Sequence, residues 1–268
     1  MRIEDYPAQE PLSEAGRRYQ DEVIRRGANI VGEEHAYGPD PYQGAILYRP
    51  EKPDGRVLAF FHGGGWTSGY KEWMAFMAPA FTAAGVLFVA MGYRLAPQHI
   101  FPTGYEDCAR ALAWLWRLNG REPIFVGGHS SGGHYASLLA VTSDWQESLG
   151  LRGGAIRGCL PISGVYDFTP GGGLTMRPRF LGSEGTERAA SPLLRIGARP
   201  RPFLLAHGDK DFPHLIRQAE AMEVALRGAG GDVTRLVLAD RDHFSASYAG
   251  GEANGPWVPK ALAWMAGH

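Results

Sequence analysis

A serine stands at the centre of a Gly-His-Ser-Ser-Gly motif, which occupies residues 128–132 and places Ser130 in the middle. A short apolar segment, residues 124–126, precedes the motif, and a helical pattern over residues 132–141 follows it. A strand–turn–helix setting of this kind lifts a serine hydroxyl clear of a sheet, where it can act as a nucleophile. The alternative is a glycine loop with a capping serine, which the flanking strand and helix disfavour.

Three consecutive glycines follow a second apolar segment, residues 57–61, and lie within His62–Trp66. The backbone N–H groups of a glycine loop can converge on one point and hold the negative oxygen of a tetrahedral intermediate. We expect the N–H groups of Gly64, Gly65 and Ser131 to form such an oxyanion hole. A flexible loop and a phosphate-binding turn are the alternatives, and the loop matches neither common phosphate-binding glycine pattern.

A nucleophilic serine needs a base, and His243 is our candidate. It lies five residues after the apolar segment 233–238, so we expect it on a loop at the carboxyl end of a strand. His207 and His214 lie earlier in the chain, and His268 is terminal.

The base needs an acid that orients it, and this acid should follow the apolar segment 203–206. Asp209 and Asp211 both qualify, and one of them can simply cap the next helix. We prefer Asp211 because it lies deeper in the loop, immediately ahead of that helix. Asp167 is a weaker alternative.

The elements that must position these residues alternate between apolar runs and helical patterns. This alternation predicts a parallel sheet covered by helices on both faces, with the site at the carboxyl ends of the strands. The predicted strands are residues 34–37, 44–48, 57–61, 86–91, 124–126, 156–162, 203–206 and 233–238, and the predicted helices are residues 11–29, 72–84, 105–118, 132–141, 214–226 and 257–265.

Length and composition are consistent with one large domain. The chain has 268 residues, 44% of them apolar, and a net charge of −1. We predict a helical N-terminal arm over residues 1–32 and a single domain over residues 33–268, with an insertion at about 164–201. The balanced charge argues against a nucleic-acid partner. Residues 1–11 lack a basic-then-apolar signal pattern, and no apolar run is long enough for a membrane span, so we predict a cytoplasmic protein.

Other reactive or aromatic side chains are given structural roles. Two cysteines are too few for a disulfide scaffold or a four-cysteine zinc site, and the histidines show no convincing zinc spacing. We therefore predict no metal and no cofactor, and we expect His129 to be a packed neighbour of Ser130. Trp66, Trp73 and Phe76 lie near the glycine loop in sequence and fit either a pocket wall or ordinary core packing.

From about residue 34 to its end, the chain resembles the α/β-hydrolase superfamily. His62–Trp66, the Tyr-Arg-Leu-Ala-Pro sequence at residues 93–97 and the Gly-His-Ser-Ser-Gly-Gly-His sequence at residues 128–134 resemble the carboxylesterase and hormone-sensitive-lipase-like branch. The likeness is nearer to kynurenine formamidase and its esterase relatives, on H-G-G-x-W, on G-H-S-x-G-G-H and on the segment 163–167 (Ser-Gly-Val-Tyr-Asp). It implies an α/β-hydrolase fold with a mostly parallel central sheet, helices on both faces and a small cap or insertion.

The resemblance also distinguishes between the two candidate acids. The family pattern D-x-P-x-[FL]-x-x-Q is matched from Asp211 onward, and Asp209 does not fit that spacing. The family's base lies in a histidine–phenylalanine pair, which His243-Phe244 matches. Gly65, however, fills the variable position of H-G-G-x-W as it does in general esterases.

The residues and the resemblance together predict a cofactor-free serine hydrolase of small to medium carboxylic esters. The alternatives are an arylformamidase acting on N-formylkynurenine-like aryl-formamides and a non-catalytic binding protein of the same fold. We expect a small-molecule ester or formamide as the partner, with a homodimer as an option.

Overall fold

Eight strands form the sheet of this protein in the computed structural model, which describes residues 2–151, 153–174, 176, 178–182 and 185–268. They are β1 (Glu33–Ala36), β2 (Gly44–Tyr48), β3 (Val57–Phe61), β4 (Leu87–Met91), β5 (Ile124–His129), β6 (Ile156–Ile162), β7 (Phe203–Lys210) and β8 (Val233–Asp242).

The strand order is β1-β2-β4-β3-β5-β6-β7-β8. β1 pairs antiparallel with β2, and β2 pairs antiparallel with β4, whereas every pair from β4 to β8 is parallel. Every residue of β3 is buried, as a continuous apolar run in a sheet covered on both faces requires. The predicted mostly parallel α/β sheet is confirmed.

The α-helices connect these strands and cover both faces of the sheet. Alternate side chains of β3 enter two different buried clusters: Phe61 packs with helices on one face, and Phe60 packs with helices on the other. Among the described residues the α-helices are α1 (Glu14–Gly27), α2 (Ala78–Thr82), α3 (Thr103–Leu118), α4 (Ser131–Val141), α5 (Asp144–Ser148), α6 (Glu187–Ala190), α7 (Pro213–Gly228), α8 (His243–Tyr248) and α9 (Val258–Gly267).

One predicted helix is wrong in type over half its length. Residues 72–84 were expected to form a single α-helix, but a 3₁₀-helix covers Lys71–Met77 and α2 follows it. Pro79 explains the change, because proline lacks an N–H and is tolerated in the first turn of an α-helix but not in its interior. In the structure Pro79 lies in the first turn of α2.

The strands that carry the site extend further than their apolar runs. β5 extends to His129, β7 to Lys210 and β8 to Asp242. The expected loop position of His243 is therefore wrong, because β8 runs directly into α8 and His243 is the first residue of that helix. The Asp242 carboxylate accepts a hydrogen bond from the Ser245 N–H and caps α8.

Helix α1 packs against the body of the molecule. Its Tyr19 and Val23 belong to the same buried cluster as Leu58 and Phe60 of the central sheet. The division between an arm over residues 1–32 and a domain with an insertion at about 164–201 stays a prediction. Within the described ranges, no helix combines the length and the apolar character needed to cross a membrane.

Candidate active site

Three side chains from three separate parts of the chain meet in one line of hydrogen bonds. The Ser130 hydroxyl lies 2.9 Å from Nε2 of His243, and Nδ1 of the same ring lies 2.9 Å from Oδ1 of Asp211. Ser130 stands between β5 and α4, Asp211 directly follows β7, and His243 begins α8. The structure thus brings together the serine, histidine and acid that the sequence analysis selected. This geometry suits proton transfer from the hydroxyl to the imidazole.

The backbone at Ser130 is strained, with φ 53° and ψ −116°. The two glycines of the motif allow this turn because neighbouring backbone leaves no room for a side chain. A Cβ on Gly128 would lie 2.3 Å from the carbonyl carbon of Gly132, and a Cβ on Gly132 would lie 2.2 Å from the Phe61 oxygen. The motif therefore follows from close packing between the turn and β3.

Asp211 is held as a buried carboxylate. Its Oδ1 accepts from Nδ1 of His243 and from the Phe212 N–H, and its Oδ2 accepts from the Ser163 hydroxyl. Burial raises the pKa of this carboxyl, but the hydrogen bonds from His243, Ser163 and Phe212 outweigh burial and hold the pKa below its usual range. Asp211 is thus suited to orient the imidazole and to stabilise its charged form.

The other two acid candidates lie apart from this chain. Asp209 is exposed and accepts from the Arg241 N–H at 3.2 Å. Asp167 accepts from the Thr169 N–H at 2.8 Å, which is a turn contact. Neither carboxylate contacts His243 in the part of the chain that the structure describes, so Asp211 alone among the three has the required geometry.

The glycine loop lies beside Ser130, and Gly64 and Gly65 line the same cavity as that serine. The Gly64 carbonyl accepts from the N–H and the hydroxyl of Ser68, which closes the loop. Within the described residues, the N–H groups of Gly64 and Gly65 have no hydrogen-bond acceptor. Ser131 is the first residue of α4, where helix geometry leaves the N–H without a partner in the helix. The oxyanion role of these three N–H groups stays a prediction.

A cavity of about 550 Å³ adjoins the serine, the histidine and the glycine loop. Trp66 and Trp73 line it, as one of the two sequence interpretations expected, whereas Phe76 is buried in the core cluster. The remaining walls are mainly apolar, and they include the N-terminal residues Pro11, Leu12, Gly16 and Tyr19 and the later residues Val165, Leu174, Met176, Phe212, Leu215 and Phe244.

Two buried histidines beside the site are held neutral. Nε2 of His129 donates to the His243 carbonyl at 2.9 Å, and burial lowers the His129 pKa to about 3. Nδ1 of His134 accepts from the Trp66 indole N–H, Nε2 donates to the Ala190 carbonyl, and burial lowers the His134 pKa to about 3. His129 is therefore a packed neighbour that supports the backbone of His243.

Two further residues, Ser163 and Tyr19, lie at the site without a sequence signal that indicates it. Ser163 belongs to the family-like segment 163–167, and its contact with Asp211 spans 48 residues. Tyr19 carried no motif at all, yet it lines the cavity. No cluster of three or more potential metal ligands is found among the residues that the structure describes.

Comparison with known proteins gives matches to hydrolases. A family model described as an alpha/beta hydrolase fold matches residues 58–181. Esterase LipQ of Mycobacterium tuberculosis is 30% identical over 220 residues, which is 72% of this chain and 52% of that protein. The kynurenine formamidase of Danio rerio is 26% identical over 218 residues, which is 78% of this chain and 73% of that protein. The chain thus spans about half the length of the mycobacterial relative.

Solved structures share the whole architecture. A putative thioesterase from Silicibacter sp. superimposes with a TM-score of 0.78 at 20% identity, covering 94% of this chain and 95% of that one. A thermostable carboxylesterase from a metagenomic library gives a TM-score of 0.73 at 21% identity, covering 96% and 97%. At this level of identity the likeness concerns the fold.

Proposed function

We propose that this chain, which has the alpha/beta hydrolase fold, is a serine hydrolase of carboxylic esters. The observation that carries the proposal is the hydrogen-bonded chain from Ser130 through His243 to Asp211. The similarity to esterases supports the same conclusion.

The proposed reaction follows from the donors and acceptors of that chain. As Oγ of Ser130 attacks the ester carbonyl carbon, Nε2 of His243 takes the hydroxyl proton. The Asp211 carboxylate keeps the ring in the tautomer that leaves Nε2 free, and it stabilises the imidazolium. The carbonyl oxygen gains negative charge, which the N–H groups of Gly64, Gly65 and Ser131 stabilise.

The second half of the reaction uses the same groups. The imidazolium gives its proton to the leaving alcohol oxygen, and an acyl-enzyme on Ser130 remains. His243 then takes a proton from water, whose oxygen attacks the acyl carbon, and returns that proton to Oγ as the acid is released. The reaction consumes one ester and one water molecule.

The cavity supports an ester with a small to medium acyl chain over a formamide. A site specialised for a formyl group should enclose it tightly, whereas this cavity has a volume of about 550 Å³ and mainly apolar walls. Arylformamidase activity is the second candidate, since the fish formamidase is similar over 78% of this chain. A non-catalytic binding protein is disfavoured because all three members of the triad are present.

Labelling and turnover test the proposal. We expect a fluorophosphonate probe to label the wild type at Ser130, and we expect p-nitrophenyl acetate to hexanoate to be hydrolysed faster than N-formylkynurenine. Ser130→Ala should lose both the label and the turnover. A folded wild type that is neither labelled nor active would support the binding-protein alternative.

A matched pair of variants tests the acid. Asp211→Asn should lower kcat by about 10³–10⁴, because the imidazole loses its orienting charge. Asp209→Asn removes a carboxylate two residues away and should change kcat by less than about twofold, as expected for a surface position. The reverse pattern would move the acid to Asp209.

A further inference from the structure

Tyr19 is a buried residue of α1 whose contacts converge on the surroundings of His243. Its side chain is 3% exposed, and its hydroxyl lies 2.9 Å from the Ser247 hydroxyl, 228 residues away in sequence. The centroid of its ring lies 5.4 Å from that of the Phe244 ring and 5.8 Å from that of the Tyr248 ring, and the Tyr248 ring is nearly parallel to it. All three partners belong to α8.

Helix α8 depends on such outside contacts because it has only six residues. Isolated helices of this length are unstable in water, since too few hydrogen bonds form to offset nucleation. Asp242 caps the first turn of α8. At the other end, Tyr19 joins Ser247 by a hydrogen bond and packs on Tyr248. His243 is the first residue of this helix, so the orientation of α8 sets the direction of its imidazole.

Tyr19 also contacts the second support of His243. Its ring centroid lies 5.5 Å from that of His129, whose Nε2 donates to the His243 carbonyl. Tyr19 therefore packs against both structures that hold the histidine backbone in place: the helix that follows it and the ring beside it.

We propose that Tyr19 is a positioning residue for His243, acting through Ser247 and α8. The proposal rests on the esterase function proposed above. The hydrogen bond between the Tyr19 and Ser247 hydroxyls fixes the last turn of α8. This keeps Nε2 of His243 within hydrogen-bonding distance of the Ser130 hydroxyl. The ring of Tyr19 lines the substrate cavity at the same time. By this inference α1 contributes to the positioning of the catalytic histidine.

The test is to remove the hydroxyl and keep the ring. Tyr19→Phe should lower kcat for p-nitrophenyl acetate about five- to tenfold, the effect of one ordinary hydrogen bond, with KM within about twofold. Ser247→Ala should give the same loss from the other side of the bond, and it keeps the test available if Tyr19→Phe folds poorly. The double variant should lose no more than either single one, because both remove the same interaction.

Tyr105→Phe is the matched control. The Tyr105 hydroxyl lies 2.9 Å from the Thr142 hydroxyl, and neither residue lines the cavity. This variant removes the same kind of hydroxyl–hydroxyl hydrogen bond at a partly buried position away from the cavity, and it should leave kcat unchanged. Equal kcat losses in Tyr105→Phe and Tyr19→Phe would overturn the proposal, as would unchanged kcat in Tyr19→Phe or additive losses in the double variant.

The rate of fluorophosphonate labelling separates this proposal from the proposed function. If the wild type is labelled at Ser130 and Tyr19→Phe is labelled several-fold more slowly, both stand. If both proteins are labelled equally fast, the Tyr19 proposal fails and the hydrolase remains. If the folded wild type is not labelled, the proposed function itself fails.

Discussion

At the scale of single residues, the charge of Asp211 depends on donors from both sides of the carboxylate. His243 and the Phe212 N–H occupy Oδ1, and Ser163 donates to Oδ2. Ser163 is 1% exposed and has a φ of 52°, a conformation uncommon for a residue other than glycine. A buried hydroxyl held in this way indicates a role in keeping the carboxylate ionised and fixed.

We expect Ser163→Ala to lower kcat about tenfold, because a hydrogen bond to a charged group contributes roughly 1.5–3 kcal/mol and only part of it changes during the reaction. Ser163→Gly is the control, since it also lacks the hydroxyl but adopts the positive φ freely. Steady-state kinetics on p-nitrophenyl esters measures both variants. Wild-type kcat in Ser163→Gly would show that the hydroxyl is dispensable.

The sequence predicted those site residues whose evidence lies close by in the chain. Ser130 is marked by the glycines that its turn requires, and Asp211 and His243 by their positions after strands. Ser163 and Tyr19 were not predicted because their evidence is a contact across 48 and 228 residues, respectively. Only the folded chain brings such partners together.

At the scale of elements, the first turn of α1 forms part of the cavity wall. Gly16 is buried there and lines the cavity, although glycine within a helix costs about 1 kcal/mol relative to alanine. Its backbone is not in the left-handed region. The three atoms nearest to a Cβ at this position would be two of the Leu12 side chain and the Ser13 hydroxyl oxygen, at 3.3–3.4 Å, so the neighbouring side chains would have to shift slightly to admit it. We infer that the missing side chain leaves room for the acyl group.

Gly16→Leu should therefore shorten the acyl chain that the site accepts. We expect kcat/KM for p-nitrophenyl octanoate to fall at least about tenfold relative to acetate, as an occupied pocket rejects extra methylenes. Ala15→Leu is the control, because Ala15 precedes Gly16 but does not line the cavity. An equal fall of kcat/KM for both esters in Gly16→Leu would show that Gly16 does not limit the length of the acyl chain.

The bounds of an element were predictable where all its residues are buried, and less predictable where buried residues are followed by exposed ones. β2 and β3 match their predicted bounds because all their residues are apolar and buried. β7 and β8 extend beyond their apolar runs because backbone pairing continues through the polar residues near the site, as the pairing of Lys210 with Asp242 illustrates. The start of α8 was missed because its signal, the Asp242 cap, lies within a run of charged residues.

At the scale of the whole molecule, buried neutral histidines connect stability to pH. Burial lowers the pKa of His62 to about 4 and that of His129 and His134 to about 3. An unfolded histidine takes up a proton near pH 6.5, whereas these three stay neutral in the folded state until the pH is far lower. The unfolded state therefore binds more protons between these limits, and the free energy of unfolding falls as the pH drops from about 6.5 towards 3.

The variant His134→Gln tests how much one of these three histidines contributes to the pH dependence. Glutamine can accept from Trp66 and donate to the Ala190 carbonyl as His134 does, but it does not titrate. We expect urea unfolding at pH 6, 5 and 4 to give a shallower dependence of the free energy of unfolding on pH for His134→Gln than for the wild type. The difference in slope should be up to about 1.4 kcal/mol per pH unit. An unchanged slope would mean that His134 is not held neutral.

The bond between Tyr19 and Ser247 has a consequence for how this protein is made. Folding begins during synthesis from the first residues onward. A nascent chain that has passed Ser130 already has the proposed nucleophile, but it lacks the imidazole and the partner of the Tyr19 hydroxyl until residues 243 and 247 have been added. By the proposed mechanism, a chain released from the ribosome before residue 247 has been added would be inert towards esters.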